Sequence, residues 1–149
     1  MRVALTRTRE DIKRDKDIFE REGFEVIELP LIEEVPLEFD VPEESFDFVI
    51  FQSPRAARLF LSRYSLKDEK VVVVGEKTRE EVERRGYRVW AMPENYYGSE
   101  LLKLFRGLSG SVLIPRSAVG RDEIVEGLKK MGFSVYPVDV YTVKGVMYE

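Results

Sequence analysis

Short polar turns that follow predicted strands carry the side chains most able to bind a ligand. In a parallel sheet such turns share one edge, and the helices that follow present unbonded amides there, which attract anions. Arg7 and Arg116 add guanidinium groups whose geometry fits carboxylates. We therefore predict a cleft for an anionic ligand at this edge. The four turns are Thr6-Arg7-Thr8, Gln52-Ser53-Pro54, Gly75–Thr78 and Pro115-Arg116-Ser117.

Each hydroxyl residue in these turns also has a structural interpretation. Thr8, Ser53, Thr78 and Ser117 belong to the residue types that cap helix N-termini. Taken singly, each is better explained as a cap, whereas four such turns on one edge favour a ligand cleft. Ser99 opens a further predicted helix at 100–105 and joins the candidate ligand-binding residues.

The composition excludes several kinds of chemistry. The 149 residues include no cysteine and no histidine, so disulfides, thiolate nucleophiles, imidazole catalysis and zinc sites built on Cys or His are excluded. The sequence also lacks the GxGxxG, GxxxxGK[ST] and GxSxG motifs of dinucleotide sites, P-loops and nucleophile elbows. Any reaction must use carboxylates, hydroxyls, Tyr, Lys, Arg or backbone amides.

Charge and hydropathy indicate the partners and the cellular location to expect. The net charge of −4 argues against a nucleic-acid partner. No apolar run is long enough to span a membrane, and the N-terminus has no signal-peptide core, so we expect a cytoplasmic protein without membrane partners. The 35% of charged residues and the missing cysteine are typical of a thermophilic source. Arg84-Arg85 and Lys129-Lys130 are interpreted as cations at helix C-termini.

Short β-rich runs alternate with charged helical stretches, which predicts a mostly parallel, doubly wound α/β fold of the flavodoxin-like type. Thr78 and Glu81 have the spacing of a capping box for the helix that ends near Gly86. The predicted strands are 3–5, 25–29, 48–51, 71–74, 87–91, 112–114 and 134–143, and the predicted helices include 11–22, 55–62, 100–105 and 121–131.

An internal repeat is the most informative feature of the sequence. Residues 2–33 align without gaps with residues 111–142, at an offset of 109 that matches Arg7 to Arg116 and Gly23 to Gly132. Each copy is one βαβ unit, and chance similarity between two such units remains the alternative. A five-stranded doubly wound sheet needs one βαβ unit plus one three-strand module. With two βαβ units and a single three-strand module, one unit lacks a sheet partner.

This count of βαβ units and three-strand modules predicts the domain organisation. We expect an N-terminal βαβ unit of an incomplete lobe at 1–33, a linker at 34–45, a complete flavodoxin-like lobe at 46–143 and a tail at 144–149. The segment Glu33–Ser45 is acidic and carries Pro36 and Pro42, which indicates irregular chain. An ordinary surface loop is the alternative to a linker.

Five segments in chain order resemble the uroporphyrinogen-III synthases. They are VALTR at 3–7, FQSP at 51–54, VVVVGEKT at 71–78, VLIPRSAVGRDEI at 112–124 and VDVYTV at 138–143. The resemblance implies two flavodoxin-like lobes joined by two strands. It also implies closure of the linear tetrapyrrole hydroxymethylbilane to uroporphyrinogen III, with inversion of the last ring, loss of water and no cofactor or metal.

The resemblance also assigns roles to individual residues. Tyr141 matches the tyrosine that would assist departure of the substrate hydroxyl; otherwise it is a half-buried strand aromatic. Ser53 and Thr78 fall on turns that line the substrate cleft in the family. Gln52 stands where a small hydroxyl residue is common, which puts substrate contact there in doubt. The remaining candidate substrate-binding residues are Thr6, Arg7, Gly75, Ser99, Pro115, Arg116 and Ser117.

The sequence departs from the family pattern after residue 143, where the chain would return to complete the first lobe. We expect a homologue shortened in the gene or in the expressed fragment. Its unpaired first strand would pair with that of a second copy in a homodimer. The alternatives are a missing half supplied by another polypeptide, a catalytically inactive tetrapyrrole- or anion-binding remnant, and a generic α/β interaction domain.

Overall fold

The computed structural model describes residues 2–5, 25–28, 32–120 and 122–145, with side chains from residue 33 to 120 and from 122 to 144. The chain divides into two compact units, Met1–Val35 with Thr142–Glu149, and Pro36–Tyr141. The domain limits predicted from the sequence stay a prediction. The predicted helix 11–22 and the residues Thr6, Arg7 and Thr8 lie outside the described residues.

The described elements follow the predicted alternation of strands and helices. The strands are β1 Arg2–Leu5, β2 Glu25–Glu28, β3 Ile32–Pro36, β4 Phe48–Phe51, β5 Lys70–Val73, β6 Val89–Ala91, β7 Ser111–Ser117 and β8 Ser134–Gly145, and the helices are α1 Pro54–Leu61, α2 Glu76–Arg84, α3 Gly98–Lys103 and α4 Glu123–Lys130. The mixed α/β class predicted from the sequence is confirmed.

The larger sheet has the strand order β3-β8-β7-β4-β5-β6. The pairs β8-β7, β7-β4, β4-β5 and β5-β6 are all parallel. The last five strands of this order can be renumbered, with β7 and β8 of the βαβ unit as 1 and 2 and with β4, β5 and β6 as 3, 4 and 5. Their order is then 2-1-3-4-5, which is that of flavodoxin. The chain therefore builds a flavodoxin-like sheet whose two parts occur in exchanged sequence order.

Helices cover both faces of this sheet because the side chains of β4 alternate between two cores. Val49 and Phe51 pack with α1 and α2, whereas Phe48 and Ile50 pack with α3 and α4. All four side chains are buried, as an apolar strand in the middle of a parallel sheet requires. The sheet thus positions two pairs of helices by burying one strand completely.

The strand register agrees with the repeat predicted from the sequence. In the first copy Val3 pairs with Val26, and in the second Val112 pairs with Val135, each 109 residues later. The parallel pairing of β1 with β2 therefore repeats that of β7 with β8, residue for residue. Among the described residues, β1 and β2 form a sheet of two strands.

Several local predictions are wrong. The segment expected to be irregular from Glu33 begins inside β3, at the end of the strand order, where an edge strand tolerates Pro36. Helix α2 begins at Glu76, so Thr78 is its third residue and does not cap it. Its expected capping partner, Glu81, is buried and forms ion pairs with Arg84 and Arg85.

Two further boundaries differ from the prediction. Helix α3 begins at Gly98 and its N-cap is Tyr97, which makes Ser99 the second helical residue. Pro115, Arg116 and Ser117 continue β7 and pair with β8 where a turn was expected. Within the described part of the chain, β4 pairs with β7 only at Val112 and Leu113, so the distal part of β7 pairs there with β8 alone, where a proline is accommodated.

We expect Phe48→Ala to lower the free energy of unfolding by about 3–5 kcal/mol, because the ring fills the core beneath α3 and α4. Its centroid lies 5.2 Å from that of Phe105 and 6.2 Å from that of Phe133. Urea denaturation followed by circular dichroism measures the change. Val119→Ala, at an exposed position, is the control and should change stability by less than about 0.5 kcal/mol. Equal stability of the two variants would contradict this packing.

Candidate functional site

The carboxyl ends of β4 and β5 border a cleft of about 370 Å³, which we call the larger cleft. Because these strands are parallel neighbours, the residues after Phe51 and Val73 meet at one edge. The sequence-predicted residues Ser53, Gly75 and Thr78 all line it. Among the described residues, the lining consists of Gln52, Ser53, Pro54, Val74, Gly75, Glu76, Lys77, Thr78 and Tyr96.

Ser53 is both a helix cap and a cleft residue. Its Oγ accepts a hydrogen bond of 3.1 Å from the backbone N–H of Ala56, and Pro54 is the first residue of α1. The predicted N-cap is therefore confirmed. A hydroxyl that accepts one bond still has its own proton to donate. Ser53 can thus cap α1 and donate a hydrogen bond into the larger cleft.

The N-terminus of α2 forms the opposite wall of the larger cleft. Its N-cap, Gly75, has a φ of +90°, a conformation that favours glycine, and it makes no side-chain capping bond. The first amides of α2 consequently lack a side-chain partner from the cap and can bind an anion. Glu76 and Lys77 are exposed and opposite in charge, so the helix amides supply the fixed positive end of this wall.

Thr78 places a buried hydroxyl residue in the same wall. Only 2% of its surface is exposed, and it lies one turn into α2, beside the larger cleft. Its place at the third helical position results from Gly75, which turns the chain from β5 directly into the helix. The strand-to-helix turn therefore sets Thr78 in the lining of the cleft.

A second cleft, of about 220 Å³, adjoins the first, and we call it the smaller cleft. It lies where helices leave β4 and β7 for opposite faces of the sheet, the position at which open α/β sheets bind ligands. Ser99 is exposed in α3, next to Gly98 of the lining. The lining consists of Gln52, Val74, Tyr96, Tyr97, Gly98, Leu101, Glu123 and Ile124.

Arg116 does not present an uncompensated charge at this edge. Its Nη1 forms an ion pair with Asp122 Oδ1, and its Nε lies 3.2 Å from Asp139 Oδ1. Burial lowers the pKa of the Arg116 guanidinium, but the hydrogen bonds to the two carboxylates outweigh burial and raise that pKa above its usual value. A ligand carboxylate would have to compete with two protein carboxylates for this cation.

The other predicted residues at the ends of β7 and β8 form a separate group. Pro115 pairs with Val138, and Ser117 pairs with Tyr141 after a bulge in the register. The Ser117 Oγ accepts a 3.3 Å hydrogen bond from the N–H of Val119. These residues are not among the described residues that line either cleft.

Tyr141 is half-buried and packs against the core that α1 and α2 share with the sheet. Its backbone carbonyl accepts a 2.8 Å hydrogen bond from the N–H of Ala118, which anchors the loop after β7 to β8. Its structural position therefore agrees with the alternative of a half-buried strand aromatic, and its phenol remains a candidate for chemistry.

Sequence reasoning missed Tyr96 and Tyr97, which border the clefts on the loop between β6 and α3. Both are largely exposed, at 77% and 73%. The signal in the sequence is a pair of aromatic residues in the polar segment ENYYG. Exposed aromatics in a loop at the ligand-binding edge of a sheet point to contact with a partner or ligand.

Within the part of the chain that is described, no cluster of Asp and Glu has the arrangement to hold a metal ion. The same residues contain no helix long and apolar enough to cross a bilayer. The candidate site is thus a cleft of backbone amides, hydroxyls and aromatic rings.

Known proteins with related sequences share one description. The sequence profile of uroporphyrinogen-III synthase HemD matches residues 13–148. A protein named "Putative uroporphyrinogen-III synthase" from Methanocaldococcus jannaschii is 29% identical over 147 residues, covering 91% of this chain and 61% of that protein. A protein of the same name from Methanothermobacter thermautotrophicus is 32% identical over 108 residues, covering 66% and 42%. The chain therefore spans less than two thirds of the length of these relatives.

Solved structures with the same fold carry related names. A mutant uroporphyrinogen III synthase from the extremely thermophilic bacterium Thermus thermophilus superposes with a TM-score of 0.79 at 16% identity, covering 98% of this chain and 64% of that one. The uroporphyrinogen-III synthetase from Helicobacter pylori superposes with a TM-score of 0.59 at 19% identity, covering 85% and 58%. At these identities the likeness concerns the fold, whereas the profile match covers most of the sequence: the chain belongs to the uroporphyrinogen-III synthase family.

Proposed function

We propose that this protein closes hydroxymethylbilane to uroporphyrinogen III, with inversion of the last ring, in the cytoplasm and without a cofactor. Family membership supports the reaction class. The observation that carries the proposal is the convergence of Ser53, Gly75 and Thr78 on one cleft at the carboxyl edge of the sheet. The α2 amides and two hydroxyl residues of that cleft suit a substrate rich in carboxylates.

Catalysis in this proposal consists mainly of holding a flexible chain in the conformation that closes. The terminal C–O bond of the substrate breaks and its hydroxyl leaves with a proton as water. The methylene carbon so freed bonds to the substituted α-carbon of the last ring, and the bond from that α-carbon to its other methylene breaks. That methylene bonds instead to the free α-carbon of the same ring, which releases its proton, so the ring is closed with its orientation inverted. The α2 N-terminus and Ser53 bind substrate carboxylates and thereby restrict the chain. The phenol of Tyr141 supplies a proton to the departing hydroxyl. Thr6, Arg7, Ser99, Pro115, Arg116 and Ser117 are proposed as further substrate contacts.

We expect the chain to convert freshly generated hydroxymethylbilane to the type III isomer, measured by chromatography of the oxidised products against the spontaneous type I isomer. Tyr141→Phe should lower kcat by about 100-fold, the lower end of a general-acid contribution, with little change in KM. Tyr64→Phe is the matched control, because Tyr64 is also half-buried against the same core. Type I product alone, despite tetrapyrrole binding, would favour the inactive binding homologue.

Thr78→Val tests the larger cleft directly. The change keeps the shape of the side chain and removes its hydroxyl, so we expect KM to rise roughly fivefold, as for the loss of one hydrogen bond of about 1 kcal/mol, while kcat is retained. Thr78→Ser keeps the hydroxyl and should restore the KM. Steady-state kinetics with hydroxymethylbilane provides both parameters. An unchanged KM in Thr78→Val would remove Thr78 from the substrate site.

We also propose that the chain forms a homodimer in which the edge strand β1 pairs with its copy across a two-fold axis. The support is the two-stranded β1-β2 sheet, since unpaired strand edges associate readily. Light scattering after gel filtration should give the mass of two chains at micromolar concentration. Val3→Pro removes an amide hydrogen from β1 and should yield one chain per particle. A wild-type mass of one chain would contradict the proposal.

A further inference from the structure

The ring of Tyr96 forms a boundary between the two clefts. Tyr96 lies in the lining of both, together with Gln52 and Val74. A Cβ built on Gly75 would lie 2.9 Å from Cε1 of Tyr96 and 3.5 Å from its hydroxyl oxygen. The ring therefore rests against the backbone at the α2 N-terminus, in the space that any larger residue at 75 would occupy.

The loop that carries Tyr96 is held by hydrogen bonds within the segment from Asn95 to Glu100. Asn95 Oδ1 accepts a 3.0 Å hydrogen bond from the N–H of Tyr97, and the carbonyl of Tyr97 accepts from the N–H of Glu100 at 3.0 Å. These bonds tie the loop to the start of α3 without using the Tyr96 side chain. The position of the ring is thus defined by the loop and by contact with Gly75.

Burial of the Tyr96 ring contributes little to the stability of the folded chain. With 77% of its surface exposed, Tyr96 buries only a small part of its apolar area. One edge of the ring is nonetheless fixed beside a helix N-terminus, where an anionic group would bind. An aromatic face next to an anion site is suited to a flat heteroaromatic ring that carries carboxylate arms: the ring stacks while a carboxylate reaches the amides.

We infer that Tyr96 is a ligand-specificity residue that stacks on one pyrrole ring of the tetrapyrrole and directs its carboxylate arm to the α2 N-terminus. The inference rests on the proposed function, because it takes the tetrapyrrole as ligand. Tyr96 selects for an aromatic ring, whereas the α2 amides and Ser53 select for negative charge. A carboxylate-rich compound without aromatic rings gains nothing from Tyr96.

The experiment is a fluorescence titration of the full chain with uroporphyrin III, the stable oxidised form of the proposed product. We expect Tyr96→Ala and Tyr96→Leu to raise Kd about tenfold and Tyr96→Phe to stay within about twofold of wild type, because an aromatic face is what binds. Tyr136→Ala is the matched control, since Tyr136 is also an exposed tyrosine and lines neither cleft. It should also stay within about twofold.

Two further measurements separate the explanations. Thermal unfolding of Tyr96→Ala should match wild type, which excludes a folding defect as the cause of weaker binding. Citrate should compete with uroporphyrin III equally well in wild type and Tyr96→Ala. If wild type binds the porphyrin and Tyr96→Ala or Tyr96→Leu binds equally tightly, the role of Tyr96 is overturned while the proposed function stands. If wild type does not bind, both are overturned.

Discussion

Complete burial of β4 is the constraint on which the rest of the structure depends. The strand lies between β5 and β7, and its alternating side chains enter both cores. Because no side chain of Phe48–Phe51 is exposed, helices must cover both faces, and the chain must leave the strand at its carboxyl end. Gln52 and Ser53 follow there, beside the corresponding end of β5. The larger cleft is consequently a product of the same packing that stabilises the fold.

At this edge of the sheet, the N-terminus of a helix is better placed to bind an anion than a side-chain cation is. Arg116 is occupied by Asp122 and Asp139, whereas the N-cap of α2 is a glycine that makes no side-chain capping bond. Aligned peptide dipoles at a helix N-terminus attract carboxylates without the desolvation cost of a buried cation. Such a site suits a ligand with several carboxylates, and the Tyr96 ring beside it adds an exposed aromatic surface.

Sequence patterns predicted the repeat in this protein better than they predicted where helices begin. The offset of 109 residues was visible in the alternation of strand, polar turn, helix and glycine, and the register of β1-β2 reproduces that of β7-β8 at the same offset. Helix starts were less predictable. Thr78 and Ser99 have the residue type of a cap, yet both lie inside helices, because the positive φ of Gly75 and the turn through Tyr97 start α2 and α3 earlier.

The sequence by itself determined the α/β class, the order of the elements and the polar residues that follow β4 and β5, because periodicity, caps and glycines are local signals. Only the tertiary structure decided which of these residues meet. The pairing of β4 with β5 brings Ser53 to Gly75 and Thr78, and the packing of a loop places Tyr96 over Gly75. The tertiary structure also decided that Asp139 of β8 and Asp122, the N-cap of α4, neutralise the charge of Arg116. Contacts between residues far apart in sequence depend on strand order and side-chain packing, which no local pattern encodes.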